Sequence, residues 1–392
     1  MTPAARVQAA IELLDETIEA AKREGAPADR LIAKYFKQRR YAGSKDRRAV
    51  RELVYRAIRH CGEMPKTGRA AMLGLANSDE TLKMLFTGEG HGPKPIGENE
   101  VAAEPGTAPS WLMEELAKSG ISGEAAQALL GRAPLDIRVN TLKAERDGLV
   151  LPEPGEILAA PQAVRLPAGT SVEQWEEYRS GKIEVQDHGS QLACMAAAAK
   201  PGETVIDLCA GAGGKTLSLA AAMQNEGRLI ASDTDRGRLS KLAPRAERAG
   251  AGIIEPKLMN PGAEMDALEE FHAGADLVLV DAPCSGTGTW RRKPEAKWRL
   301  TPAQLAKYGE LQDMLLDIAS KLTKPGGRIA FITCSLLDAE GADRVAAFLE
   351  RNPGWSAEEA DIPLGTPRAK GLRLDPFQHD TDGFFVAILR SA

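Results

Sequence analysis

The sequence predicts an α/β protein in which a parallel sheet is wrapped by helices, and three observations predict it. Strand and helix patterns alternate from about residue 183 to the end, which means parallel pairing with helical crossovers. A Gly-rich turn, Cys209-Ala-Gly-Ala-Gly-Gly-Lys-Thr216, follows the strand-like Thr204-Val-Ile-Asp-Leu208. Two further runs, Leu277–Val280 and Arg328–Thr333, each end shortly before a cysteine, Cys284 and Cys334. In open α/β sheets the ligand crevice lies beyond the carboxyl ends of such strands, so both cysteines and Asp281 belong to a site.

Taken in order, residues 3–24 and 44–60 carry helical periodicity. In the second, Val50, Leu53, Val54, Ala57 and Ile58 form an apolar stripe and Ser44 is placed as N-cap. This gives a helical domain over residues 1–90. The Gly-, Pro- and Glu-rich stretch 88–109 reads as a linker, assigned to 91–108, or a long surface loop. Residues 109–175 hold helices around Trp111–Lys118 and Gly123–Leu130, then strand-like pieces at Ile137–Leu142 and Ala163–Leu166, a small α/β module. In 176–392, Arg228–Ser232 forms a second strand ending at Asp233. Pro244 breaks the helical pattern Asp235–Ala249. Thr301-Pro302 supplies N-cap and N1 of a helix to Lys321, a helix runs from about Glu340 to Arg351, and Phe384–Leu389 is a last strand.

Bulk composition narrows the function. The 392 residues are 43% hydrophobic and 27% charged, ordinary for a soluble globular protein, and no apolar run reaches the ~18 residues of a membrane span. Five cysteines without a C-x-x-C pair suit neither a disulfide framework nor a zinc site, which points to a reducing cytoplasm and no metal. Net charge is −5. From Lys22 to Arg59, however, 13 Lys/Arg face four acids, Glu24, Asp29, Asp46 and Glu52. That block is either a phosphate-binding surface or a solvated helix face.

The turn 209–216 fails two familiar patterns by one residue each. A Walker A loop needs glycine where Cys209 stands, and G-x-G-x-x-G needs glycine where Thr216 stands. What remains is a turn that lets a ligand approach the backbone, plus an acid, Asp233, about 20 residues on and placed to take ribose hydroxyls. The cysteines indicate the chemistry. A thiolate is a strong carbon nucleophile, and cytosine C5 becomes nucleophilic only once something adds at C6. A thiolate at C6, a carboxyl group at N3 and a second group to assist release match two cysteines and one Asp at strand ends.

Asp281-Ala-Pro-Cys-Ser-Gly-Thr-Gly, Arg291-Arg-Lys-Pro-Glu-Ala-Lys-Trp298 and Thr333-Cys-Ser-Leu336 resemble the Sun-type (RsmB-like) RNA cytosine-5 methyltransferases. So do Arg138-Val-Asn-Thr-Leu142, Val185-Gln-Asp-His-Gly-Ser-Gln191, the 207–216 turn and Asp382-Gly-Phe-Phe385. The likeness covers about 110–392, and the 44–60 helix resembles a NusB-like extension. It implies a Rossmann-like S-adenosylmethionine-dependent methyltransferase domain with a small α/β module and an N-terminal helical, RNA-binding domain, acting as a monomer on ribosomal RNA or transfer RNA. It implies Cys334 as the C6 nucleophile, Cys284 in product release and Asp281 against base and cofactor. In DNA cytosine-5 methyltransferases the Pro-Cys cysteine attacks instead, so Cys284 is the alternative nucleophile. S-adenosylmethionine would be held by Cys209, Ala210, Gly211, Ala212, Gly213, Gly214 and Lys215, by Asp233 at the ribose, by Asp281, and by Asn260 where the family usually carries Asp. Gly211-Ala212 replaces the family's Ala-Pro in the turn.

Other readings stay open at this stage. A non-catalytic RNA-binding assembly factor would have lost Cys334, Asp281 or the Gly turn, and all three are present. A small-molecule enzyme would leave the basic block unused. Cys209 reads as a packed small side chain, His188 as a structural histidine, and Cys61 and Cys194 as inert. Arg291, Arg292, Lys293 and Lys297, interleaved with Trp290 and Trp298, either grip RNA or belong to a loop with buried tryptophans.

Overall fold

Apolar residues at three- and four-residue spacing build four helices at the start of the chain: α1 (Pro3–Lys22), α2 (Ala28–Gln38), α3 (Ser44–His60) and α4 (Gly68–Asn77). Their shared core holds Leu13, Leu14, Ile18, Val54, Ile58 and Met72, all at most 1% exposed. In the computed structural model residues 1–23 and 25–392 are described; Glu24, the predicted end of the first helix and one acid of the basic block, lies outside them. The chain divides into two compact units, Met1–Arg132 with Thr289–Pro302, and Ala133–Gly288 with Ala303–Ala392.

In the first unit Ser44 is the first helical residue of α3 rather than its cap. Gly43 holds the N-cap position, and the Asp46 carboxylate accepts its N–H at 3.3 Å. That carboxylate also takes Arg6 Nε at 2.9 Å and the chain's amino terminus at 3.2 Å. Residues 88–109 have almost no regular structure, yet their backbone is bonded to the helices. Ala103 N–H donates to Ala70 O and Gly106 N–H to His60 O, both at 2.9 Å. The unit also contains the helix Ser110–Lys118.

The segment Thr289–Pro302 is built into this first unit, where Arg291, Lys297 and both tryptophans belong to a packed loop, whereas Arg292 is half-buried and Lys293 exposed. Trp290, Arg291, Glu295, Lys297 and Trp298 are all at most 5% exposed. The Glu295 carboxylate accepts the Ala28 N–H at 3.0 Å, supplying α2 with the N-terminal acceptor that Pro27 cannot provide. Arg299 donates to Gly25 O and Ala26 O, each at 2.7 Å. Trp298 Nε1 donates to Gly62 O at 3.3 Å and Lys297 Nζ to Thr107 O at 2.9 Å. Burial pushes the Lys297 ammonium down to about 7.

The second unit has two sheets. The small one, in the order β2-β3-β1-β4, is antiparallel and uses β1 (Leu135–Val139), β2 (Glu156–Ile157), β3 (Ala163–Leu166) and β4 (Ile183–Val185). The large one contains β5 (Thr204–Asp207), β6 (Arg228–Asp233), β7 (Ile254–Leu258), β8 (Ala275–Asp281), β9 (Thr323–Thr333), β10 (Trp355–Glu358), β11 (Thr366–Arg368), β12 (Gly371–Leu374) and β13 (Phe384–Ser391). Its order is β11-β12-β13-β9-β8-β5-β6-β7, with β10 on β13. Strands β7, β6, β5, β8 and β9 are mutually parallel, but β13 pairs antiparallel to β9, so the sheet is mixed rather than purely parallel. The expected helix 235–249 is two, Arg236–Leu239 and Leu242–Ala249. The break precedes Pro244, which therefore sits in the first turn of the second helix, where its missing N–H removes no helical bond.

The chain runs outward from β5 to β6 and returns to the other side of β5 as β8, so the topological switch point lies between β5 and β8. Leu277, Val278, Leu279 and Val280 of β8 are 0% exposed. Burial of each such side chain stabilises by ~1.5–3 kcal/mol. Truncating Leu279 to Ala is expected to lower unfolding free energy by ~2–5 kcal/mol, read as a fall in urea midpoint with unchanged slope.

Candidate active site

The turn after β5 owes its shape to two glycines. Gly211 and Gly213 have φ of +56° and +86°, a left-handed conformation that favours glycine. A Cβ at Gly211 would lie 2.4 Å from Arg238 Nη2, and one at Gly213 2.2 Å from Leu242 Cδ1. The turn is tied down without the family's proline: Gly211 N–H donates to Asp233 Oδ2 at 2.7 Å and Arg245 Nη1 to Ala212 O at 2.7 Å. Asp233, at the tip of β6, also accepts the Asp235 N–H at 2.7 Å. A carboxylate has about four lone-pair sites, so acceptor capacity remains for two ribose hydroxyls.

Beyond the carboxyl ends of β5, β6 and β8 lies a cavity of about 460 Å³, within the ~300–1,000 Å³ usual for ligand sites. Cys209, Asp233, Asp281, Cys284 and Cys334 all line it. Asn260 does not; it is exposed, and the wall there is Met259, Pro261 and Glu264. The carboxylate at one end and the apolar Met259 and Pro261 beside it suit an adenosine-containing ligand. Of residues 209–215, Cys209 lines the cavity, and the Ala210, Gly211 and Gly213 N–H groups donate to Ser232 O, Asp233 Oδ2 and Ala210 O.

The cysteines meet because β8 and β9 are adjacent and parallel, with Asp281 opposite Ile332. Cys284 and Cys334 each follow their strand ends closely, and their Sγ atoms are 3.3 Å apart. The Cys284 contact lowers the Cys334 thiol below its ordinary value, against burial, with the Lys215 ammonium helping. The same contact, with burial, drives the Cys284 thiol well up. The direction of these two shifts favours Cys284 as the donor and Cys334 as the sulfur that ionises first. Cys209 is also pushed well up by burial, which suits a packed side chain.

Lys215 opens the helix Gly214–Ala222. Its Nζ lies 2.7 Å from Asp281 Oδ2 and 5.4 Å from the Phe384 ring centroid. Burial works against its charge, but Asp281 outweighs this and holds the ammonium above its usual range. Lys215 thus joins the Gly turn of β5 to the strand end of β8.

Several residues of the predicted motifs are structural. His188 Nε2 accepts the Ala160 N–H at 3.1 Å, and burial lowers its pKa. Gln186 Oε1 accepts from Arg138 Nε at 2.7 Å, and Asp187 caps the helix His188–Ala196. Gly383 N–H donates to Gly288 O at 2.7 Å, and a Cβ at either glycine would lie 2.6 Å from the other's Cα, which fixes Phe384 beneath Lys215. Cys61 and Cys194 are buried, with thiols raised by burial, Cys61 to about 11. Sequence reasoning missed two acids. Asp207 ends β5 fully buried, and Glu340 sits beneath both cysteine loops. Their only sequence signal is an acid next to a strand end or a cysteine motif.

Residues 194–390 match the family described as 16S rRNA methyltransferase RsmB/F. The chain is 35% identical over 302 residues to the probable ribosomal RNA small subunit methyltransferase B of Synechocystis sp., covering 72% of this chain and 67% of the relative. Other relatives of that name are covered over 66% of their length, so the match spans about two thirds of these proteins. The crystal structure of PH0851 aligns with TM-score 0.74 at 24% identity over 99% of both chains. NSun6 from Pyrococcus horikoshii, crystallised with SFG, aligns with TM-score 0.62 at 21% identity over 72% of this chain and 98% of its own. These two likenesses concern the fold. Among the described residues no group of three or more His, Cys, Asp or Glu could hold a metal, and no helix is long and apolar enough to cross a membrane.

Asp207 gives this site a pH signature. Its Oδ2 accepts from the Thr216 hydroxyl at 2.6 Å, while Oδ1 has no partner. Burial raises its carboxyl to about 7, against the Thr216 bond. The fold favours the neutral acid, so its contribution to stability is present below the ordinary Asp range and is lost as pH rises through about 7. Urea midpoints measured across that window should fall less in Asp207→Asn than in wild type.

Proposed function

The chain belongs to the RsmB/F family of 16S rRNA methyltransferases, whose methyl donor is S-adenosylmethionine, and from that premise we propose that it makes 5-methylcytosine in RNA through a covalent Cys334 adduct. Ribosomal RNA is the first substrate, following the names its relatives carry, and transfer RNA the second. The observation that carries the reading is the cysteine pair, 3.3 Å apart on the cavity wall with the lowered thiol on Cys334.

S-adenosylmethionine, held by the Cys209–Lys215 turn and Asp233, would supply the electrophilic methyl group that C5 takes up. The chain's residues do the rest. The Cys334 thiolate adds to cytosine C6, forming the S–C6 bond and pushing the C5=C6 electron pair towards N3. Asp281, paired with the Lys215 ammonium at 2.7 Å, would face N3, and the ammonium beside it stabilises the negative charge that develops there. After C5 is methylated, loss of its proton to base re-forms C5=C6 and expels Cys334 as a thiolate. Cys284 assists that step by hydrogen-bonding its S–H to the departing thiolate sulfur, keeping its own proton. The target base must leave its stack to reach the cavity.

The substrate's phosphates would meet the basic block. On α2, α3 and the turn between them, Arg30, Lys34, Lys37, Arg40, Lys45, Arg48 and Arg51 are exposed, and Tyr41 is 74% exposed. Binding through such a surface falls steeply with salt.

Tritium release from RNA labelled at cytosine C5 tests the reaction, because only attack at that carbon liberates the label. Cys334→Ala should lose release by a factor on the order of 10⁴ or more. Cys284→Ala should slow turnover and accumulate a protein–RNA adduct on denaturing gels. Methyl incorporation without tritium release would remove the C5 assignment.

A further inference from the structure

Glu340 is fully buried, at 0% exposed, seven residues past the end of β9. Its Oε1 accepts the Ser285 backbone N–H at 2.8 Å and Gln312 Nε2 at 3.3 Å. Its Oε2 accepts the Ser335 hydroxyl at 2.6 Å and the Ser285 hydroxyl. Ser285 and Ser335 are the residues directly after Cys284 and Cys334, and their Oγ atoms are 3.2 Å apart. Gln312, on the helix Pro302–Leu322, also donates to Pro283 O at 2.9 Å, directly before Cys284. Thr287 completes the arrangement, its Oγ1 lying 3.1 Å from Ser335 Oγ and accepting the Leu336 N–H at 2.9 Å.

Two oxygens thus take four donors, which matches the lone-pair capacity of an ionised carboxylate; a protonated one could not accept all four. Burial raises the Glu340 carboxyl above its ordinary range, and the Ser285, Ser335 and Gln312 donors oppose that rise. A buried carboxylate is costly unless its acceptors are met, and here every one is met by a group adjoining a cysteine or by Gln312.

We propose that Glu340 is the positioning residue of the cysteine pair, clamping the Pro-Cys-Ser and Thr-Cys-Ser segments at the separation that lets Cys284 donate to Cys334. It touches neither sulfur; it acts through Ser285 and Ser335. The charged groups facing the pair are Lys215, Asp281 and Glu340. The consequence for catalysis rests on the function proposed above, but the clamp itself is measurable without RNA.

The test is iodoacetamide alkylation of the full chain over a pH series, with Cys284 and Cys334 quantified separately by peptide mass spectrometry. Wild type should show two separated midpoints, Cys334 the lower. In Glu340→Gln the midpoints should converge by about one to two pH units, the size of a charge-assisted hydrogen bond. Loss of charge alone would instead lower both together, because Glu340 raises both thiols. A common downward shift with the separation kept, or no shift, overturns the proposal. Ser335→Ala and Gln312→Leu keep the carboxylate and should show a smaller convergence; they decide the matter if Glu340→Gln does not fold. Convergence in a protein that fails to methylate cytosine would uphold the clamp and reject the proposed reaction.

Discussion

The in-register parallel pairing of β8 with β9 is the constraint on which the site depends. Leu279 stands opposite Ala330 and Asp281 opposite Ile332, so both strands end at nearly the same height. Past that level Ala282 N–H still donates to Ile332 O at 2.9 Å and Gly288 N–H to Cys334 O at 3.0 Å. Two cysteines fifty residues apart are thereby brought to contact distance. Slipping either strand by one residue would reverse the faces of its side chains and take Asp281 out of step with Ile332.

Electrostatics then divides labour within this frame. Lys215 links the Gly turn of β5 to Asp281 of β8, and the contact survives burial because each charge has a partner. Burial, with neighbouring acids, drives Cys209 up, whereas Cys334 has the Cys284 thiol as donor and an ammonium nearby. The contact with Cys284, with Lys215 as a lesser help, sets Cys334 apart from the packed Cys209.

Much of this was legible in the sequence because strands of a buried parallel sheet read as apolar runs, and their ends fall where Asp233, Asp281, Cys284 and Cys334 stand. The antiparallel edge was not. Strands β10 and β11 are short, contain exposed residues and carry no apolar run. The return of residues 289–302 into the helical unit was likewise hidden, since Trp290, Lys297 and Trp298 look alike whether they bind bases or fill a core. Glu340 was invisible for another reason. A lone acid near a helix start reads as a solvated side chain until its four donors, from three separate segments, are seen together. At Asn260 the strand-end rule gave the right neighbourhood, but Met259 and Pro261 face the cavity and Asn260 faces solvent.

The most direct measurement is to map the bond formed with RNA carrying 5-fluorocytidine, whose fluorine cannot leave as a proton and so holds the adduct after methyl transfer. The account predicts one RNA-linked peptide, with the nucleotide on Cys334. A nucleotide on Cys284, or methylated product formed with no covalent species at either cysteine, would contradict it.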